Sequence, residues 1–175
     1  MTDTQWPRFE VFLIEADGKP AEHVGSVHAP DPEMALLNAR DVFVRRPHCR
    51  GLWVVPATNV LFRTAEELKG APHPAESQPN KAKEQPYLIF AKPNHREPLA
   101  LWKCLSATSA ESALGTAIGK RSATDWPLWA VVPEAKLTRS DPEEIEAFFQ
   151  PAEAKHYKMH SDFPIGRQMK EIRQK

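Results

Sequence analysis

Hydrophobic and polar positions along the chain form a pattern that occurs twice. Phe9-Glu10-Val11-Phe12-Leu13-Ile14 begins by alternating apolar and polar residues and is rich in aromatic and branched side chains, which predicts a strand. The turn Asp17-Gly18 follows, so a hairpin is expected, with Val24 to His28 as its second strand. A helix starts at Asp31, whose carboxylate suits an N-cap, and Pro32 comes next, where a missing N–H costs nothing. Leu36, Ala39 and Phe43 then fall at i, i+3 and i+7, one stripe able to lie on a sheet. Leu52-Trp53-Val54-Val55 is apolar enough for a central or covered strand. The series returns as Tyr87 to Phe90, Leu99 to Leu105, a helix opened by the capping box Thr108-Ser109-Ala110-Glu111, and Leu128 to Val132. The second helix stripe is shorter, because Leu114 and Ala117 are followed by Arg121. Each series ends in a short acidic helix, Glu66-Glu67 after Thr64 and Glu143-Glu144 after Asp141, and then a proline-led tail.

Direct comparison of the two series supports a repeat. Phe12 and Phe90, Pro20 and Pro98, Ala29 and Ala107, Glu33 and Glu111, Leu36 and Leu114, and Ala39 and Ala117 all match at an offset of 78. The offset reads 76 at Leu52/Leu128 and Trp53/Trp129, then 77 for Val54-Val55-Pro56 against Val131-Val132-Pro133 and for the tails. A unit of about 60 residues buries little surface and is marginal alone, whereas two can cover each other. The expected architecture is therefore α+β: two tandem copies of a strand-strand-helix-strand unit forming a pseudo-dimer about a pseudo-two-fold axis. The divisions are residues 1–69, a proline-rich linker or strap at 70–85, and 86–175. The middle stretch, GAPHPAESQPNKAKEQP, has almost no large apolar side chains with which to offset ordering entropy.

Composition narrows the function more than the fold. The chain has 175 residues with 23 basic and 23 acidic side chains and a mean hydropathy of -0.52. Zero formal charge lacks the long-range field that collects phosphate, so no nucleic-acid partner is expected. Apolar runs such as Val11 to Ile14 fall far short of the roughly 20 residues a membrane span needs. The N-terminus, MTDTQWPRFE, carries neither a basic nor an apolar signal region, so a cytoplasmic protein is expected. Cys49 and Cys104 stand 55 residues apart with no close second thiol, and free thiols are the expectation.

No catalytic constellation can be assembled. Glu153-x-x-His156, with His160 at i+4 from His156, is half of a di-iron carboxylate motif, but no other Glu-x-x-His occurs and Pro79 stands at the matching place in the first copy. An exposed tail is the better reading, and no metal or cofactor is expected. Nucleophile elbows and phosphate-binding glycine loops are missing. Glu66-Glu67 and Glu143-Glu144 read as helix-dipole partners. Arg45 and Arg46 complement a helix C-terminus, with an acidic protein surface as the second reading and RNA a distant third. Of the five tryptophans, Trp53 and Trp129 read as core, while Trp6, like Phe148-Phe149, leans towards a protein interface.

Trp6-Pro7-Arg8-Phe9-Glu10-Val11-Phe12, His23-Val24-Gly25-Ser26-Val27-His28-Ala29, Met34-Ala35-Leu36-Leu37-Asn38-Ala39-Arg40-Asp41 and Leu52-Trp53-Val54-Val55 resemble the phenylacetate-degradation protein B (PaaB) family. The tail Phe148-Phe149-Gln150-Pro151-Ala152-Glu153-Ala154-Lys155-x-Tyr157 resembles that family's tail. Members are single-copy chains of about half this length, so the resemblance covers both halves and the tandem arrangement is a departure. The resemblance implies a non-catalytic subunit of the multicomponent epoxidase that converts phenylacetyl-CoA to its ring 1,2-epoxide. There another subunit carries the di-iron centre, a further one is its inactive structural partner, and a reductase brings electrons from NADPH. The PaaB component bridges or supports the oxygenase subunits. A related oxygenase acting on another acyl-CoA is a variant of the same reading.

Each copy is half typical. The first keeps the His23 to Ala29 stretch but has Gly70-Ala71-Pro72-His73 where the aromatic pair should precede Pro74. The second has Trp102-Lys103-Cys104-Leu105-Ser106 in place of the histidine-led stretch and keeps the tail. If these motifs mark docking surfaces, the candidate interface takes Trp6, Phe9, His23, His28, Arg45 and Arg46 from the first copy and Phe148, Phe149 and Tyr157 from the second. Phe148 and Phe149 would then bind a partner without supporting the fold, since their helix lies outside both expected sheets. The alternative is a stand-alone ligand-binding or regulatory protein, which predicts a stable monomer with a closed pocket.

Overall fold

A computed structural model describes residues 6–44, 49–70, 83–119, 126–153 and 172. The first series forms β1 (Arg8–Ile14), β2 (Glu22–His28), α1 (Pro32–Phe43), β3 (Gly51–Pro56), β4 (Leu61–Thr64) and α2 (Ala65–Gly70). The second forms β5 (Gln85–Lys92), β6 (Ala100–Ala107), α3 (Ala110–Ile118), β7 (Leu128–Pro133), β8 (Thr138–Arg139) and α4 (Ile145–Glu153). The fold is thus α+β, built on repeated β-β-α-β units. Single 3₁₀ turns at Ala57–Asn59 and Glu134–Lys136 lead into β4 and β8.

Local chemistry explains most element boundaries. Asp31 caps α1 by accepting the Met34 N–H at 2.8 Å, and Gly18 takes φ 76° in the β1–β2 turn. The expected box at the start of α3 shifts by one residue: Ser109 accepts the Ser112 N–H at 3.1 Å. Glu111 instead pairs with Arg63, 2.6 Å away. A reciprocal box does form at α2, where Glu67 Oε2 accepts the Thr64 N–H at 2.8 Å and Thr64 Oγ1 accepts the Glu67 N–H at 3.3 Å. These bonds from Thr64 hold the Glu67 carboxyl below its ordinary range. Gly25, at φ 143°, lies so close to Phe43 that a Cβ there would meet the ring at 2.9 Å. The second series has Lys103 and Arg121 at the matching places, so the glycine and the ring it admits are present or absent together.

The eight strands of the described residues form one antiparallel sheet in the order β4-β7-β5-β6-β2-β1-β3-β8. The order reads the same from either edge once the two series are matched, and its centre is the β2–β6 seam. Glu22 lies opposite Ala100 there, flanked by His23 N–H to Leu99 O and Leu101 N–H to Ala21 O, both 2.8 Å. These bonds exchange with each other under the offset of 78. So do the register shifts, between Val11 and Phe12 in one hairpin and between Ile89 and Phe90 in the other.

The edge strands are exchanged between series. β4 pairs with β7 of the second series from Leu61↔Val131 to Thr64↔Leu128, and β8 pairs with β3 of the first at Trp53↔Arg139 and Val54↔Thr138. The helices that follow go with them. Leu68 of α2 is buried in the core under α3, and Phe149 and Ala152 of α4 are buried in the core under α1.

The register corrects the expected match of Trp53 with Trp129. Trp53 lies opposite Phe12, whereas Ala130 lies opposite Phe90, so the offset is 77 along the whole strand and Trp129 matches Leu52. A slip of one residue changes the face of the sheet. Trp129 is buried beside α3, while Trp53 is half-buried on the opposite face.

That opposite face is concave. Strands lie about 4.8 Å apart, so a flat sheet would hold β1 and β5, three steps apart, about 14 Å from each other. The rings of Phe12 and Phe90 are nevertheless 4.2 Å apart, and His23 of β2 reaches within 6.0 Å of Phe62 on β4. The sheet curls around a core shared by both series, including Phe12, Val55, Leu88, Phe90 and Val132. The helices cover the convex side with two further cores, one per series.

Candidate functional site: exposed apolar residues on the first series

Charged and aromatic residues that the sequence marks as functional separate into three groups. The first is structural. Glu10 is 5% exposed, on the concave side where the second series has Leu88. Its carboxylate meets His23 Nε2 at 2.8 Å and Arg8 Nε at 3.2 Å. The His23 ring also packs edge-on to Phe12, 5.4 Å between centroids. Phe9 is 3% exposed among the residues under α1. His23 and Phe9 are therefore engaged inside the fold.

The second group is the tail helix. Ile145, Phe148, Phe149 and Ala152 recur at helical spacing and turn towards the first series. Phe149 is 3% exposed. Phe148 is half-buried, its ring under the Arg40 guanidinium at 5.3 Å. The expectation that this pair stands outside the fold is corrected: exchange of β8 carries α4 onto the first core, where Phe149 is buried and Phe148 packs half-buried against it. The first copy's strand-helix surface and the second copy's tail are thereby brought side by side. Arg45, Arg46 and Tyr157, with His156 and His160, lie outside the described residues.

The third group is exposed. Trp6 is 60% exposed, and the neighbouring Pro7 carbonyl accepts the Ala29 N–H at 3.1 Å. His28 is exposed, its carbonyl receiving Asn38 Nδ2 at 3.1 Å. It stands between two open hollows, one of about 420 Å³ beside Pro7, Arg8 and Thr58 and one of about 360 Å³ beside Ser26, Asn38 and Val42. Met34, Leu37 and Val42 of α1 are also exposed. Periodicity alone does not single them out, because it selects the stripe that packs inward. Apolar residues off that stripe are the available signal.

Further hollows lie beside other elements. The largest of those described, about 510 Å³, lies beside Cys49, Arg50, Glu146 and Gln150. Burial pushes the Cys49 thiol up to about 11, so it is protonated at neutral pH and a poor nucleophile. Trp102, Trp126 and Trp129 form a ring cluster with centroids 4.9–5.7 Å apart beside α3. Among the described residues, no three His, Cys, Asp or Glu side chains are grouped to hold a metal ion, and no helix is long and apolar enough to cross a membrane.

A family profile described as "Phenylacetic acid degradation B" matches residues 5–85 and again residues 83–170. The chain belongs to the PaaB family. Each of the two matches contains one complete β-β-α-β unit with its following short strand and helix. A curated relative, the B component of the 1,2-phenylacetyl-CoA epoxidase of Escherichia coli (strain K12), is 42% identical over 78 residues, which is 45% of this chain and 82% of that protein. No solved structure matches. In this PaaB chain the stretch that begins at His23 lies in strand β2, and the segment that begins at Phe148 lies in helix α4.

Proposed function

We propose that this chain is a non-catalytic subunit of a multicomponent phenylacetyl-CoA epoxidase, or of an oxygenase acting on a related acyl-CoA, where it supports assembly of the oxygenase subunits. The observation that carries this reading is the 42% identity to the B component of such an epoxidase over 82% of that protein's length. The exposed apolar side chains Trp6, Met34, Leu37 and Val42 support it, since such residues are enriched where proteins meet. So does the structural use of the buried Glu10, which is bonded to His23. In this reading the chain is two PaaB units in tandem, divided at 1–69, 70–85 and 86–175, and it reproduces within one polypeptide the arrangement of a dimer.

The test is reconstitution with the catalytic and structural oxygenase subunits and their reductase. The chain alone should consume no NADPH in the presence of phenylacetyl-CoA. Added to its partners it should copurify with them and raise epoxide formation. Full epoxidation without the chain, together with no copurification, would overturn the reading.

A further inference from the structure

The two convex cores are built alike but finish differently. In the first, Ile145, Phe148, Phe149 and Ala152 of α4 pack on a core that also holds Val24, Cys49 and Leu52. Cys49 lines one hollow with Ile145 and Phe149, so a small thiol stands beside the aromatic pair. α2 matches the start of α4 at the offset of 77, and Leu68, the counterpart of Ile145, packs on the second core in the same way. The match then changes chemistry: Ala71 and Pro72 stand in the chain where α4 has Phe148 and Phe149.

The second core supplies the missing bulk from its own side. Trp102, Trp126 and Trp129 take the places of Val24, Cys49 and Leu52. The register supports the assignment. Val24 and Trp102 are the residues that the two register shifts leave without an opposite number. Leu52 and Trp129 lie opposite Leu13 and its counterpart Ala91. The three indoles pack on one another with centroids 4.9–5.7 Å apart, all against the core under α3. Three smaller side chains thus accompany a tail with two phenylalanines, and three indoles accompany one with none. A helix like α4 laid at the equivalent place on the second series would drive its phenylalanines into Trp102 and Trp126, and a close-packed core resists added bulk.

We propose that the tryptophan trio determines which tail each series accepts: the first series takes an aromatic tail helix of the α4 kind, and the second refuses one, whether this chain or a second copy offers it. α4 then has a single destination, and tails are exchanged in one sense only. The assignment stands apart from the subunit reading, because neither of its measurements uses an oxygenase partner.

The test uses the full chain and a labelled peptide with the sequence of residues 141–157, followed by fluorescence anisotropy. Wild type should hold the peptide poorly, since α4 covers the first series and the trio closes the second. Trp102→Val/Trp126→Cys/Trp129→Leu should bind it at least about tenfold more tightly, and alanine at both phenylalanines of the peptide should abolish that gain. Because loss of three indoles could unfold the core, a milder cycle combines Trp126→Cys with Ala71→Phe/Pro72→Phe in one chain. The phenylalanines should lower the melting temperature of wild type and raise that of the Trp126→Cys chain. Removal of the proline is common to both backgrounds, so the difference between them reports the fit. Shifts in melting temperature that simply add, or wild type binding the peptide as tightly as the triple variant, would overturn the assignment.

Discussion

A carboxylate as buried as Glu10 is tolerated only with partners, because stranding a charge inside a fold costs more than the pair gains. Glu10 has His23 at 2.8 Å and Arg8 at 3.2 Å. The second series shows the apolar solution to the same position, with Leu88 and Leu101 standing where Glu10 and His23 do. His23→Leu alone should lower stability by about 1–3 kcal/mol, the cost of an unsatisfied buried group. Adding Glu10→Leu should recover most of that loss, since an apolar pair then fills the site. Urea denaturation of both single variants and the double variant measures it, and a double loss equal to the sum of the two single losses would show that the two side chains act independently. The expected strand, Val24 to His28, begins one residue after His23, which in fact lies within β2, and it gives no partner for that residue. The register shift between Val11 and Phe12 changes which β1 residues face β2, and nothing local announces it.

Most of the longer elements were legible, since each carries its own period or cap: Asp31 and Pro32 for α1, the Leu36-Ala39-Phe43 stripe, and the apolar runs of β1, β3, β5 and β7. The two short edge strands were not. β4 has four residues and β8 has two, too few for a period to show, and their pairing depends on strands far away in the chain. Missing them also misplaced α4, which was expected as a short acidic helix outside both sheets and whose apolar stripe was not recognised. Exchange puts Phe149 at 3% exposure in the first core. Phe149→Ala should therefore cost about 3–5 kcal/mol, as for other buried phenylalanines. Phe148→Ala, half-buried under Arg40, should cost less. Thermal melts of the two variants separate the cases. A Phe149→Ala melt matching wild type would return the helix to the surface, where sequence reading had put it.

At the scale of the whole molecule, exchange makes each series complete only with the other. β4 and Leu68 finish the sheet and core of the second, and β8 with α4 finish those of the first. Single units of this size bury too little surface to be secure alone, and here each would also leave an edge strand and an apolar helix without a place to pack. Cutting the chain between residues 70 and 83 removes the covalent link but none of the pairings in the described residues. Co-expressed halves should therefore assemble one to one, recovering the far-ultraviolet circular dichroism of the intact chain. The intact chain should melt at a higher temperature, because it does not lose translational freedom on assembly. A half expressed alone should be poorly folded or should pair with itself, each copy lending its own short strand and helix to the other. Sedimentation of each half, separately and mixed, distinguishes these outcomes. Two halves that each sediment as a folded monomer, and that ignore one another when mixed, would mean that the exchanged elements contribute little and that each unit closes its own core.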